Sequence, residues 1–292
     1  MARRPEAQRL QFAKMHGLGN DFMVLDLVTQ HWEPTPEQVR IWADRRTGVG
    51  FDQLLLIEPP TDPEADFRYR IFNCDGTEVE QCGNGARCAA HYIAHRNLSP
   101  KPVLHMQTLG GPITTRLREG DTVEIDMGEP NLAPRAVPFD PAAGESVLPA
   151  EGSKLTYDLE ALGEHHQITP VSVGNPHCVL FVPNVSDAPV QALGAELVGH
   201  PVFPEGANIG FCQVVDPGFI RLRVFERGVG ETRACGTGAC AAVVAAQLLG
   251  KVGHRVKVSL PGGKVRISWQ GTGSTVKMTG PATLVFEGQI QA

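Results

Sequence analysis

The sequence predicts an α+β protein of two pseudo-symmetric domains, each a curled sheet wrapped around a central helix. Two observations carry this reading. The first is an internal repeat. Phe72 to Cys88 reads FNCDGTEVEQCGNGARC and Phe225 to Cys240 reads FERGVGETRACGTGAC; Phe72/Phe225, Glu78/Glu231, Cys82/Cys235 and Gly83/Gly236 are each 153 residues apart (235 minus 82 for the cysteines). Gly19-Asn20 recurs as Gly174-Asn175, and Gly50-Phe51-Asp52-Gln53 as Gly210-Phe211-Cys212-Gln213, in the same order. Glycine and asparagine gather in turns on their own account, but the cysteine match is too long for that, and duplication explains it. The second observation is the stretch Ala239–Leu249, which is apolar nearly all round. Such a helix must be enclosed on every side, and with strands before and after it the economical enclosure is a curled sheet.

The elements repeat in order. Each half opens with a strand-like run (Phe22–Val28; His177–Val182) and continues through a helix (Pro36–Asp44; Ala188–Val198). It then returns to strands (Gln53–Ile57 and Tyr69–Asn73; Ala207–Val215 and Phe219–Phe225). After the cysteine motif comes a second helix, Gly85–His95 or Gly238–Gly250, and then short alternating strands such as Thr122–Met127 and Lys264–Trp269. The boundaries expected are 10–128 for the N-terminal domain and 129–280 for the C-terminal domain, with the active site in the cleft between them. The Pro- and Gly-rich stretch Gly128–Gly152 reads as an exposed connector, and the first nine residues as a disordered extension.

Composition narrows the function. Of 292 residues 42% are hydrophobic, enough for a sizeable core, and 26 basic against 32 acidic side chains give a net charge of -6. That balance lacks the attraction which brings proteins to nucleic acid or anionic lipid. No apolar run is long enough to span a membrane, and seven cysteines, an odd number, require no disulfide framework. A cytoplasmic, reducing location fits.

Cys82 and Cys235 each stand where strand and turn give way to a helix, followed by Gly-x-Gly. Helix N-terminal amides stabilise a thiolate, and glycines let backbone N–H groups approach an anion. A free cysteine is ordinarily an inert core residue, the reading kept for Cys74, Cys88, Cys178, Cys212 and Cys240. Zinc and thioredoxin-like sites would want Cys-x2-Cys, which is absent. A cysteine hydrolase has no use for a second equivalent thiol. Two like groups do suit a racemase or epimerase, which removes a proton from one face of a carbon and delivers one to the other. Asn20, Asn73, Asn84, Asn175 and Asn208 offer neutral hydrogen bonds, and Glu226 and Arg227 one charge of each sign, a set that fits a small zwitterion. His177 could tune a thiol, while Lys14 reads as a solvated strand end.

The segments KMHGLGNDF (14–22), GFDQ (50–53), FNCDGTEVEQCGNGARC (72–88), GNPHCV (174–179), GANIGF (206–211) and ERGVGETRACGTGAC (226–240) resemble the successive motifs of diaminopimelate epimerases. The resemblance implies that each of the two domains is a mostly antiparallel, β-barrel-like sheet around its central helix, with the last strand, about 281–292, completing the first domain. It also implies interconversion of LL- and meso-diaminopimelate without cofactor or metal, for lysine and peptidoglycan precursors, by a homodimer. Cys82 and Cys235 match the acid/base pair. Asn20, Asn73, Asn175, Asn208 and Arg227 match positions binding the distal end of the substrate, and Gln53 a further contact. Gly83, Asn84, Gly236 and Thr237 match the amides that hold the reacting carboxylate. Glu226 matches a group at the reacting amine and His177 a site-tuning histidine. The alternatives are a proline or hydroxyproline racemase or epimerase, and a non-enzymatic ligand-binding protein of the same fold.

Overall fold

The computed structural model describes residues 8–80, 82–143, 148–149 and 155–292. The chain divides into two compact units, Met1–Ile125 with Gly280–Ala292, and Asp126–Thr279. In chain order the first part contains β1 (Arg9–Gly17), β2 (Asn20–Asp26), α1 (Pro36–Ala43), β3 (Gln53–Glu58), β4 (Phe67–Asn73), β5 (Glu78–Val79), α2 (Gly83–His95), β6 (Val103–Thr108), β7 (Gly111–Arg118) and β8 (Thr122–Asp126). Then come β9 (Leu148–Pro149), β10 (Tyr157–Ala161), β11 (Glu164–Ser172), β12 (Pro176–Phe181), α3 (Val190–Val198), β13 (Asn208–Asp216), β14 (Phe219–Glu226), β15 (Gly230–Thr232), α4 (Gly236–Leu248), β16 (Arg255–Leu260), β17 (Gly263–Ser268), β18 (Lys277–Pro281) and β19 (Thr283–Gln291).

In the first unit the strands neighbour one another in the order β19, β1, β2, β3, β4, β6, β7, β8, with β5 against β4. All pairs are antiparallel except β2–β3 and β4–β6. Parallel neighbours need a crossover, and the two helices supply it: α1 lies between β2 and β3 in the chain, α2 between β4 and β6. Thr35 caps α1 by accepting the Gln38 N–H, with Pro36 in the first turn where its missing donor costs nothing. Helix α2 packs against β1, β2, β3, β4, β7 and β19, strands drawn from both ends of that order, so the sheet curls round it. Residues Asn84 to Ala90, Tyr92 and Ile93 of α2 are buried.

The second unit repeats the plan as β9, β10, β11, β12, β13, β14, β16, β17, β18, with β15 against β14 and parallel pairs β12–β13 and β14–β16. Nine successive residues of α4, Gly238–Ala246, are buried, and the helix packs against β11, β12, β13, β14 and β17. Its small side chains let strands approach from all sides. The registers also correct one repeat match. Gln53 lies opposite Phe22 in β2, and Leu54 opposite Phe72 in β4; Asn208 lies opposite His177, and Ile209 opposite Phe225. Gln53 therefore corresponds to Asn208, and the likeness of GFDQ to GFCQ is out of register.

Two further expectations are corrected. Val137 and Phe139, inside the supposed exposed connector, are fully buried; Phe139 packs edge-on to Tyr157 at 4.7 Å and beside Phe203 at 5.3 Å. An apolar pair at i and i+2 amid prolines inserts into the core of the second unit. Of the supposed N-terminal extension, residues 1–7 lie outside the described residues, but Gln8 accepts the Ala292 N–H and Arg9 opens β1 opposite Gln291. Strand β1 itself stands ahead of the first strand read from the sequence.

Candidate active site

Because β2 and β3 run parallel and β4 returns against them, the start of β2, the start of β3 and the end of β4 share one end of the first sheet. Asn20, Gln53 and Asn73 occupy those three positions. Gln53 and Asn73 are cross-strand partners, and the Gln53 amide donates to Asn73 Oδ1 at 3.0 Å. Cys82 is the N-cap of α2, its Sγ accepting the Gly85 N–H at 3.4 Å, and Gly83 and Asn84 are the first helical residues. The Cys82 thiol donates toward Asn20 Oδ1 at 3.8 Å, and Asn84 Nδ2 donates to the same oxygen at 3.3 Å. Beneath the motif the buried Tyr69 hydroxyl donates to the Cys82 carbonyl at 3.4 Å. A Cβ on Gly85 would fall 2.2 Å from that hydroxyl, which is why glycine stands there.

Charged groups back this end of the sheet. Lys14 pairs with Asp21 at 2.5 Å and donates to the Gly50 carbonyl, and Arg45 bridges Asp21 and Asp52, both at 2.7 Å. Burial raises the Asp21 pKa, but the hydrogen bonds and charges of Arg45 and Lys14 outweigh it and hold the carboxyl well below the usual range. Lys14 is thus a buried, ion-paired residue and not a solvated strand end; both faces of β1 are covered here, with Ala13 and Met15 fully buried beside it.

The second unit offers the same geometry with other chemistry. Asn175 precedes β12, Asn208 opens β13, Glu226 closes β14, and Cys235 is the N-cap of α4, followed by Gly236 and Thr237. Cys235 is buried, with Sγ 3.7 Å from Thr237 Oγ1. Burial pushes its thiol pKa well up, and the neighbouring Glu226 carboxylate pushes it further. The helix N-terminus favours thiolate, at most by about 2 kcal/mol, against this upward pull of burial and of Glu226 on the thiol. Burial likewise raises the Glu226 carboxyl, against hydrogen bonds from Thr232 and Cys235. His177 is buried with Nε2 3.0 Å from Asn175 Oδ1, and desolvation lowers its pKa to about 3, so the imidazole is neutral. Asn208 Oδ1 accepts the Arg227 backbone N–H at 2.9 Å, while the exposed Arg227 guanidinium reaches the Glu205 carbonyl. Gly206, at φ +69°, makes room for it: a Cβ would meet Arg227 Cδ at 2.9 Å.

The structure thus joins Asn20, Cys82 and Asn84 directly, and Gln53 with Asn73, at one sheet end. In the other unit it joins Asn175 with His177, Asn208 with Arg227, and Glu226 with Cys235. Cys88, Cys178, Cys212 and Cys240 are buried, and burial raises the thiol pKa of Cys88 and Cys212 to about 12. Cys74 departs from the core reading, being exposed in the turn after β4. Sequence reasoning passed over Tyr69, Arg45 and Arg87. Arg87 carried a readable signal, since it lies three residues after Asn84 on a helix and so on the same face.

The family model described as diaminopimelate epimerase matches residues 12–133 and 169–285. The chain belongs to the diaminopimelate epimerase family. Within that family, the diaminopimelate epimerase of Pseudomonas paraeruginosa is 54% identical over 282 residues, 97% of this chain and 99% of the relative. Among solved structures, a phenazine biosynthesis protein of the PhzF family from Bacillus anthracis superposes with TM-score 0.68 at 17% identity, covering 98% of this chain and 100% of its own. A hydroxyproline epimerase from Agrobacterium vitis, with bound trans-4-OH-L-proline, gives 0.66 at 16% identity, covering 99% and 94%. At those identities the two structures speak to the fold of this chain alone.

Proposed function

We propose that this chain interconverts LL- and meso-2,6-diaminopimelate, an isomerase step toward lysine and peptidoglycan precursors, by proton transfer between two thiols. The observation that carries the reading is that both central helices, each 13 residues long, start directly after a cysteine, in a chain of this family. The α-hydrogen of an amino acid is weakly acidic, so charge must be stabilised where it develops. The amides of Gly83, Asn84, Gly236 and Thr237 at two helix starts would take the reacting carboxylate, onto which the electron pair of the broken Cα–H bond delocalises. One sulfur, as thiolate, accepts the α-proton; the other, as thiol, gives its proton to the opposite face, and the centre is inverted. Glu226 supports this as a group beside Cys235 that can accept the thiol proton, while His177 is held neutral against Asn175. Which cysteine acts as base follows the configuration presented to it. Asn20, Asn73, Asn175, Asn208 and Arg227, with Gln53, would hold the distal amino acid end.

By the same family reading the protein works in the cytoplasm, which suits seven free thiols, and as a homodimer, which sedimentation would test. No helix among the described residues is long and apolar enough to cross a membrane. The decisive experiment incubates reduced protein with LL-diaminopimelate in deuterium oxide, with L-proline in parallel. Formation of deuterated meso-diaminopimelate supports the proposal; exchange on proline and none on diaminopimelate overturns it.

A further inference from the structure

A directed chain of side-chain hydrogen bonds runs behind Cys82. Asn20 Nδ2 donates to Asp52 Oδ2 at 3.0 Å; Asn84 Nδ2 donates to Asn20 Oδ1 at 3.3 Å; Arg87 donates to Asn84 Oδ1 at 2.8 Å. An amide presents an oxygen and an NH2 of nearly the same shape, so an asparagine pair alone could sit either way round. Its two ends decide. The Asp52 carboxylate only accepts and the Arg87 guanidinium only donates, so every amide between them points one way. Both ends are anchored. Arg45 holds the other oxygen of Asp52 at 2.7 Å, and the Asp21 N–H donates to Oδ2 at 3.1 Å. Arg87, fully buried in α2, also donates through Nε to the Pro281 carbonyl at 3.2 Å. The polarity reaches the thiol, because Asn20 Oδ1 is the oxygen toward which Cys82 Sγ donates at 3.8 Å.

We infer that Asp52 and Arg87 are positioning residues, which lock the Asn20–Asn84 amide pair in one orientation and so keep an acceptor, rather than an N–H donor, facing the Cys82 sulfur. An acceptor there holds the S–H proton in place and favours the thiol, whereas a reversed amide would favour the thiolate. The functional meaning of the lock rests on Cys82 being one of the two proton-transfer thiols.

The test needs no turnover, so it stands apart from the epimerase assay. Iodoacetamide labelling of the substrate-free protein is followed at Cys82 by peptide mass spectrometry, with exposed Cys74 as reference in the same digests. Either end alone fixes the direction, so the amides can turn only in the double variant Asp52→Asn/Arg87→Gln, where both ends can donate and accept. Labelling of Cys82 at pH 7 should rise about fivefold relative to Cys74, the weight of one neutral hydrogen bond. At pH 10, above the usual thiol pKa of about 8.5, the ratio should return to that of the wild type, because ionisation and not access is what changed. Asp52→Asn alone, Asp52→Glu and Arg87→Lys, each of which keeps at least one acceptor-only or donor-only end, should behave as wild type. Unchanged labelling in the double variant, a rise that persists at pH 10, or an equal rise in Asp52→Asn alone would overturn the proposal. The Asp52 side chain is 44% exposed, and a rise in Asp52→Asn alone overturns the proposal even where a variant at the buried Arg87 does not fold.

Discussion

Burial acts on single residues here with opposite signs according to charge type, and His177 gives the cleanest consequence. Its folded pKa is lowered to about 3 by desolvation alone, against about 6.5 in an unfolded chain. The unfolded state therefore binds the proton first, so the contribution of His177 to stability is complete above about pH 6.5 and is lost as the pH falls toward 3, by up to about 1.4 kcal/mol per pH unit. Urea titrations at descending pH should show this slope in the wild type and its loss in His177→Gln; equal slopes would mean that the ring is solvated. Arg227 carries a different expectation. An exposed guanidinium resting on the Glu205 carbonyl is free to exchange that neutral partner for a distal carboxylate. Arg227→Met should lower kcat/KM for diaminopimelate by about 2 kcal/mol or more in transition-state terms, the scale of a charge-assisted bond. A near-normal kcat/KM would remove Arg227 from substrate recognition. Most of these side chains were legible as candidates, because asparagine, glutamate, arginine and cysteine stand out in Gly-rich segments. Lys14 was not, since a lysine beside a turn looks solvated until the ion pair with Asp21 and the cover over β1 are visible.

The two Gly-x-Gly motifs look alike in sequence but the glycines answer to different neighbours. At Gly85 a Cβ would lie 2.2 Å from the hydroxyl of the buried Tyr69; at Gly238 it would lie 3.1 Å from Val224 Cγ2 and 3.2 Å from Cys235 Sγ. Alanine gains about 1 kcal/mol over glycine in a helix. At Gly85 that gain is outweighed by overpacking against a fixed ring, and Gly85→Ala should destabilise by about 1–3 kcal/mol in denaturant unfolding. At Gly238 the contacts can give by a few tenths of an ångström, so Gly238→Ala should stay within about 1 kcal/mol of wild type while disturbing the Cys235 sulfur and hence turnover. Equal losses of stability in the two variants would contradict this reading of the packing. Elements with strong patterns were legible: α1, α2, α3 and α4 lie within two residues of their expected bounds, because capping, prolines and apolar runs are local signals. Strand β1 and the burial of Val137 and Phe139 were not, for both depend on partners distant in the chain. Strand β1 is paired on either side by β2 and β19, and nothing near residue 10 announces residue 290.

Across the whole chain, duplication preserved a scaffold and let the chemistry diverge. The registers make Asn208 the counterpart of Gln53 and Glu226 the counterpart of Asn73, while His177 takes the place of Phe22. The sequence repeat revealed the shared scaffold through its cysteines and glycines, but it misaligned GFDQ with GFCQ, because four residues of likeness cannot compete with the pairing of whole strands. One half sets the amides of Asn20 and Asn84 at its thiol, while the other sets the Glu226 carboxylate beside Cys235 and an imidazole where the first has Phe22. If each thiol serves one face of the substrate carbon, neither can replace the other despite the common scaffold. Cys82→Ser and Cys235→Ser should each lose several orders of magnitude in kcat while still binding diaminopimelate, because a hydroxyl is far too weak an acid to become the base yet fills nearly the same space. In deuterium oxide the wild-type product should carry deuterium at the inverted centre, since the proton taken by one sulfur is not the one delivered by the other. A product that keeps the hydrogen of the substrate would mean that a single group carries it across both faces, and the division of labour between the two halves would then be wrong.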